Sequence, residues 1–292
     1  MSDSQNYVLI TDSACDLSPE MLARLGVPFV SLNVFFKDAP AQPCNLHGKE
    51  FYEALQDGKV ACTSAANLSA FRDVFVPILE QGKDILYLSL SSSLSCMHAT
   101  GKMAADELAA EYPDRKIVVV DSLCACMGLG LMVYHAAELR EQGMSLDALS
   151  AYLLENRLHT IHWFTVDDLM FLRRGGRIGG VSAMAGTLLG IKPVMCMNDD
   201  GKLMAAGKVR GRKNALLALA KHFSEECENP EGTVFIAHAN ADEDAVFLKE
   251  TLMNEYGAKQ VTIGEIGAVI GAHAGPATIS IFFMGTARAK TE

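Results

Sequence analysis

Residues 7–19 read Tyr7-Val8-Leu9-Ile10-Thr11-Asp12-Ser13-Ala14-Cys15-Asp16-Leu17-Ser18-Pro19. The first four form a short apolar run that predicts a buried strand. Thr11-Asp12-Ser13 ends that strand in a polar turn, and Ser18 followed by Pro19 supplies the N-cap and first position of a helix. The same cycle of strand, polar turn and helix recurs further on. Ile85-Leu86-Tyr87-Leu88 leads into a turn carrying Ser89, Ser91, Ser92, Ser93 and Ser95, and residues 117–120 lead into Asp121-Ser122. Buried strands alternating with helices predict a parallel sheet covered on both faces. In such sheets ligands bind at the carboxyl ends of the strands, where these polar turns fall.

After about residue 160 the pattern changes. Trp163-Phe164-Thr165-Val166 reads as a strand, and Asp167-Asp168 opens a short helix that ends at Gly175-Gly176. Residues 216–223 have helical apolar spacing, 234–238 and 279–284 read as strands, and 242–256 as an amphipathic helix. The expectation is an α/β protein of two domains. Residues 1–160 form an N-terminal parallel α/β sheet domain, and residues 161–288 a C-terminal α+β domain with helices over one face of its sheet. A chain of 292 residues accommodates two cores of ordinary size.

Half of the residues are hydrophobic, a fifth are charged, and the mean hydropathy is +0.17, which excludes a disordered chain. The apolar surplus fits a large core, a membrane protein or the lining of an apolar cavity. The longest uncharged run, residues 266–287, has the length of a membrane span, but Gly271, His273, Gly275 and Pro276 break it into two pieces around a polar turn. No membrane span is expected. The polar start, residues 1–6, has no basic region followed by an apolar stretch, so no signal peptide is expected. Without one, the scattered cysteines predict reduced, buried thiols and a cytoplasmic location. Cys124-Ala-Cys126 is the one close cysteine pair; it has neither a second pair nor spaced histidines, so no metal site is expected. The net charge of −10 argues against nucleic acid as a partner. Cations nonetheless gather at Arg173, Arg174 and Arg177, and at Lys208, Arg210, Arg212 and Lys213. Solvated loops and a docking patch for an anionic partner both fit these clusters.

Several chemistries lack their signatures. There is no Gly-x-Ser-x-Gly elbow, no His-Glu-x-x-His, no phosphate-binding Gly-x-x-x-x-Gly-Lys and no Gly-x-Gly-x-x-Gly. Asp12 after the first strand suits an aspartyl phosphotransferase, but Ala14 stands where that chemistry wants a second aspartate. What remains is a set of hydroxyls, Thr63-Ser64 and the serine turn, together with His273. Such donors can cradle a carboxylate, and they can equally cap helices and turns.

These residues carry a family resemblance. Thr11-Asp12-Ser13, Thr63-Ser64, Ser91-Ser92-x-Leu94-Ser95, Val120-Asp121-Ser122, the run Asp168-Leu-x-x-Leu-Arg-Arg-Gly-Gly-Arg-Ile178, Gly190-Ile-Lys-Pro193, Val209-Arg-Gly-Arg212 and Gly271-x-His-x-Gly-Pro276 occur in the order seen in the DegV family. The chain resembles that family over essentially its whole length. The resemblance implies a fatty-acid-binding subunit without catalytic activity or cofactor, which presents its ligand to a bacterial fatty acid kinase that makes the acyl phosphate. It implies that Thr63, Ser64, Ser92, Ser95 and His273 hold the carboxylate while the chain lies in an apolar tunnel. It leaves Arg173, Arg174 and Arg177 as the expected kinase-docking residues and allows transient membrane contact. The sequence departs from the family pattern at Ala65, Ala66, Ser93, Cys96, Met97 and Ala277, the last two replacing a threonine and a glycine.

A chain of roughly 15 methylenes, at about 0.8 kcal/mol per buried CH₂, gains on the order of 12 kcal/mol before the cost of association, so burial of the tail sets affinity. The 14 methionines suit adaptable tunnel walls. The wall is expected among residues 127–133, 178–189 and 266–270. Two other functions fit the same residues: a hydrolase or phosphotransferase using Asp12, the serine turn and His273, and a lipid-sensing regulatory module.

Overall fold

A computed structural model describes residues 6–40, 42–177 and 190–288. The first half runs β1 (Tyr7–Asp12), α1 (Pro19–Leu25), β2 (Phe29–Val30), β3 (Asn33–Phe36), α2 (Gly48–Gln56) and β4 (Ala61–Ser64). It continues through α3 (Leu68–Glu80), β5 (Asp84–Ser89), α4 (Met97–Glu111), β6 (Ile117–Asp121), α5 (Met127–Glu141) and α6 (Leu146–Asn156). Four strands form a parallel sheet in the order β2-β1-β5-β6, while β3 and β4 pair as a separate antiparallel ribbon. The first helix starts as its sequence requires: Ser18 Oγ accepts from Met21 N, Pro19 takes the first position, and Gly26 closes the helix in the left-handed conformation.

The second half runs β7 (Thr160–Thr165), α7 (Met170–Arg174), β8 (Ile191–Met197), β9 (Leu203–Arg210) and α8 (Arg212–Glu226). Then come β10 (Thr233–His238), α9 (Asp242–Glu255), β11 (Gln260–Glu265), α10 (Ala268–Ala274) and β12 (Ile279–Met284). Six strands make a mixed sheet in the order β11-β10-β12-β7-β8-β9. The architecture is α/β, with a parallel sheet in one part and a mixed sheet with helices in the other.

The period of two divides the central strands of the mixed sheet between two cores. Val234, Ile236, Ile281 and Phe283 pack under α8 and α9 with Trp163, whose ring stacks on His222 at 3.4 Å. Phe235, Ala237 and Phe282 face the other way and join the core of the first half, because α5 lies across β7, β10 and β12. The expected one-sided helical cover is therefore corrected. The sheet has helices on both faces, and one of them belongs to the first half of the chain. Helix α5 suits a place between sheets because its first two turns are apolar all round, with residues 127–133 all buried.

The uncharged run 266–287 is divided, as its turn dictates, into α10 and β12. No helix among the described residues is long and apolar enough to cross a membrane. Every cysteine is free, but burial is not general: Cys96 is exposed and Cys44, Cys62 and Cys227 are half-buried.

Candidate functional site

The ends of the parallel strands, where ligand groups are expected, are largely occupied with their own backbone. Asp12 is fully buried and accepts from Ala14 N at 3.1 Å, Leu90 N at 2.8 Å and the Tyr87 hydroxyl at 3.1 Å. Burial pushes its pKa up to about 6 against these three hydrogen bonds. Asp121 Oδ1 accepts from Ser92 N and Leu123 N, and Ser122 Oγ from Cys124 N. Ser91 and Ser93 donate to the carbonyls of Gly201 and Asp200, tying the serine turn to the β8–β9 connection. Ser93, where the family pattern has glycine, does not take a positive φ, so the hydroxyl adds a bond at no backbone cost.

The open space lies elsewhere, between the ribbon β3–β4, α10, the serine turn and the inner face of the mixed sheet. A cavity there contains about 870 Å³ of empty space, open solvent at its mouth included. Leu32, Leu90, Leu94, Leu172, Met197, Leu203, Phe164 and Phe282 supply much of its wall, with Ile266, Val269 and Ile270 from the expected stretch 266–270. Of the other expected stretches, 127–133 is core rather than wall, the neighbouring Ala125 and Cys126 lining the cavity in its place. Residues 178–189 lie outside the described residues.

At one end the wall turns polar. Thr63, at the end of β4, and His273, on α10, come together with Thr63 Oγ1 2.7 Å from His273 Nε2. Ser64 and Ser95 also line the cavity. Ser64 Oγ accepts from Asn33 Nδ2, and Ser95 Oγ from Met97 N at the start of α4. Ser92 is exposed and does not line it; its backbone N–H is held by Asp121. Of the hydroxyls and imidazole expected at a carboxylate, the structure thus groups Thr63, Ser64, Ser95 and His273 around one cavity and sets Ser92 outside it. Asp12 is not among the lining residues either, so the trio of Asp12, serine turn and His273 is not assembled there.

The arginine cluster splits. Arg173 and Arg174 are exposed, Arg174 lying over the Phe171 ring at 4.5 Å. Arg177 turns inward, lines the cavity, and donates from Nε to Leu94 O at 3.1 Å and from Nη1 to Gly175 O at 2.5 Å. Its place at the cavity was not legible from charge clustering, which treats the three arginines alike. The glycine pair is the readable signal. A Cβ on Gly175 would sit 2.1 Å from His273 Nδ1, so only glycine lets this loop approach the imidazole.

Burial, assisted by the Arg177 guanidinium, pushes the His273 pKa down to about 4, so the imidazole is neutral at pH 7. Its Nδ1 is buried without a hydrogen-bond partner. Thr63, Arg177 and His273 also line a second, outer pocket with Cys62, Phe171 and Arg174. These three residues therefore form a polar partition, with an apolar cavity behind it and a pocket carrying positive charge in front. No group of side chains among the described residues has the makings of a metal site.

The turn after α10 shows how the departure at Ala277 is accommodated. Ala277 takes φ 58°, the left-handed conformation a glycine would adopt freely, and its N–H donates to Ala239 O at 2.7 Å.

Fold and site together define a two-sheet α/β protein with a largely apolar cavity that has a hydroxyl, an imidazole and a guanidinium at one end. Residues 6–286 match the family model described as "Uncharacterised protein, DegV family", and the chain belongs to the DegV family. A DegV domain-containing protein of Clostridium perfringens is 39% identical over 287 residues, covering 96% of this chain and 98% of that protein. Among solved structures, a fatty-acid-binding DegV family protein from Thermus thermophilus has 31% identity and a TM-score of 0.85, with 97% of this chain and 100% of that one covered. A stearic-acid-binding protein from Eubacterium ventriosum has 26% identity and a TM-score of 0.85, covering 95% and 98%.

Proposed function

We propose that this protein binds a long-chain fatty acid, with the tail in the apolar cavity and the carboxylate at the partition of Thr63, His273 and Arg177, where Ser64 and Ser95 complete the rim. The observation that carries the reading is the meeting of Thr63, Arg177 and a neutral His273, with Ser64 and Ser95, at the polar end of a largely apolar cavity. A carboxylate offers acceptors to the hydroxyl and the guanidinium while the buried tail supplies most of the affinity. The ligands named for the Thermus thermophilus and Eubacterium ventriosum relatives support the same class.

The protein itself is not an enzyme in this reading. It holds the acid with its carboxylate toward the outer pocket and presents it to a fatty acid kinase, which transfers the phosphoryl group. Arg173 and Arg174, exposed beside that pocket, dock the kinase, and Arg177 serves the carboxylate instead. Ser92, outside the cavity wall, acts only through the turn that positions Ser95. The protein works in the cytoplasm, drawing acids from the membrane surface by transient contact.

Organic extraction of the purified protein should yield a stoichiometric long-chain acid by mass spectrometry, and His273→Ala should retain it roughly tenfold less tightly, about 1.4 kcal/mol. Addition of a fatty acid kinase and ATP should give acyl phosphate, lost in Arg173→Glu while binding persists. Repeated extraction of no acyl species would remove the binding reading; unchanged phosphorylation in Arg173→Glu would remove the docking assignment alone.

A further inference from the structure

An acyl tail needs no hydrogen bond, yet the cavity wall is not purely apolar beyond its head end. His162, Thr278 and Ser280 also line it. Two of these are already occupied. His162 Nδ1 donates to Thr160 O at 2.9 Å while Nε2 accepts from Ala125 N, and burial keeps its pKa well below the usual range, so the ring is neutral. Thr278 Oγ1 donates to the carbonyls of Ala274 and Gly275, both at 2.9 Å.

Ser280 is different. It lies on β12, opposite Phe164 on β7 and Ala237 on β10, on the sheet face that Phe282 shares. It is 5% exposed, and no described residue hydrogen-bonds its Oγ. A buried hydroxyl set against methylenes alone loses its hydrogen bonds to water and recovers none. A pocket for a plain saturated chain gains nothing from serine at a strand position where alanine or valine would fill the same space. Two polar side chains of this wall, His273 at its buried Nδ1 and Ser280 at its Oγ, keep hydrogen-bonding capacity that no described residue takes up. The first stands at the carboxylate end, and the second stands on the inner sheet face.

We propose that the cavity recognises long-chain carboxylic acids that carry an oxygen within the chain, a hydroxyl above all, and that Ser280 is the residue that selects it. A hydroxyl on the chain and the hydroxyl of Ser280 can each donate and accept, so one hydrogen bond satisfies both on burial. The inference rests on the fatty-acid reading of the site and names the subclass.

The test uses the full chain after delipidation, with calorimetric titration of stearic acid and a set of hydroxystearic acids differing in the position of the hydroxyl. One positional isomer should bind roughly tenfold more tightly than stearic acid, about 1.4 kcal/mol. Ser280→Ala should abolish that preference by weakening the hydroxy acid, and Ser280→Thr, which keeps the hydroxyl, should retain it. Circular dichroism melts establish that both variants are folded. Equal affinities for all the acids in the unaltered protein, or a preference unmoved by Ser280→Ala, would overturn the inference and leave the fatty-acid reading standing. Binding of none of the acids would overturn both.

Discussion

Two polar regions of this molecule look alike in sequence and have opposite fates. The turns after β1, β5 and β6 are dense in Asp and Ser, and they sit where parallel sheets commonly bind ligands. Here their side chains chiefly satisfy backbone groups: Asp12 serves three donors, Asp121 two, and Ser91 and Ser93 reach the β8–β9 connection. The partition of Thr63, Arg177 and His273 draws on β4, the loop after α7, and α10, none of them in the parallel sheet. There His273 Nδ1 is left without a hydrogen-bond partner. The difference teaches that a polar group's type says less about function than whether the fold has already used its hydrogen bonds.

The comparison breaks most visibly at Asp12. Asp12→Ala leaves three buried donors unsatisfied, so an unfolding free energy lower by about 3–5 kcal/mol is expected from denaturant titration. Ligand affinity of the folded molecules should stay unchanged. A large loss of affinity with little loss of stability would reverse the roles assigned to the two regions.

Asp16 gives the next largest effect. Its carboxylate is buried against the Cys126 thiol and the Gly267 N–H, but neither closes a hydrogen bond of good geometry, and burial pushes its pKa up to about 7. An unfolded aspartate ionises near 3.8. Between these values the unfolded chain is ionised and the folded one still protonated, so the contribution to stability is complete below about pH 4 and is lost as pH rises to about 7. Asp16→Asn should remove this slope, leaving the variant about 2–4 kcal/mol better placed at pH 8 than at pH 4 relative to the parent. His273 runs the other way. Its lowered pKa means that stability falls as pH drops from about 6.5 to about 4, so the comparison is made in a His273→Ala background as well. Parallel pH profiles for parent and Asp16→Asn would show that Asp16 does not titrate with folding.

The smallest effect concerns the turn that carries the site. Ala277→Gly should raise stability by about 1 kcal/mol, since glycine takes the left-handed conformation without the Cβ clash. A thermal melt unchanged or lowered would show that the alanine methyl is worth more in packing than its backbone costs.

The alternation that predicts the parallel sheet is local, and β1, β5 and β6 stand where their apolar runs and polar turns put them. The strands β8, β9 and β11 were not legible, because Lys192-Pro193 and Lys208 interrupt any period and Gly264 stands inside the last of them. They are strands because the mixed sheet pairs them. At the site, Thr63 and His273 were legible through motif order. The inward turn of Arg177 was not, since it depends on Gly175 lying against a ring from a distant helix. The place of α5 between the sheets was equally hidden, although the unbroken burial of residues 127–133 explains it once seen.

The hydrogen bond between Thr63 and His273 joins residues 210 positions apart. Contacts of that span form late, because the loop they close must first be ordered. A chain still emerging from the ribosome holds β4 and the serine turn long before it holds α10. The completed head group of the site is thus a property of finished molecules only. A ligand that needs it adds its binding energy to the native state alone, so supply of such a ligand should raise the standing amount of folded protein as well as its load.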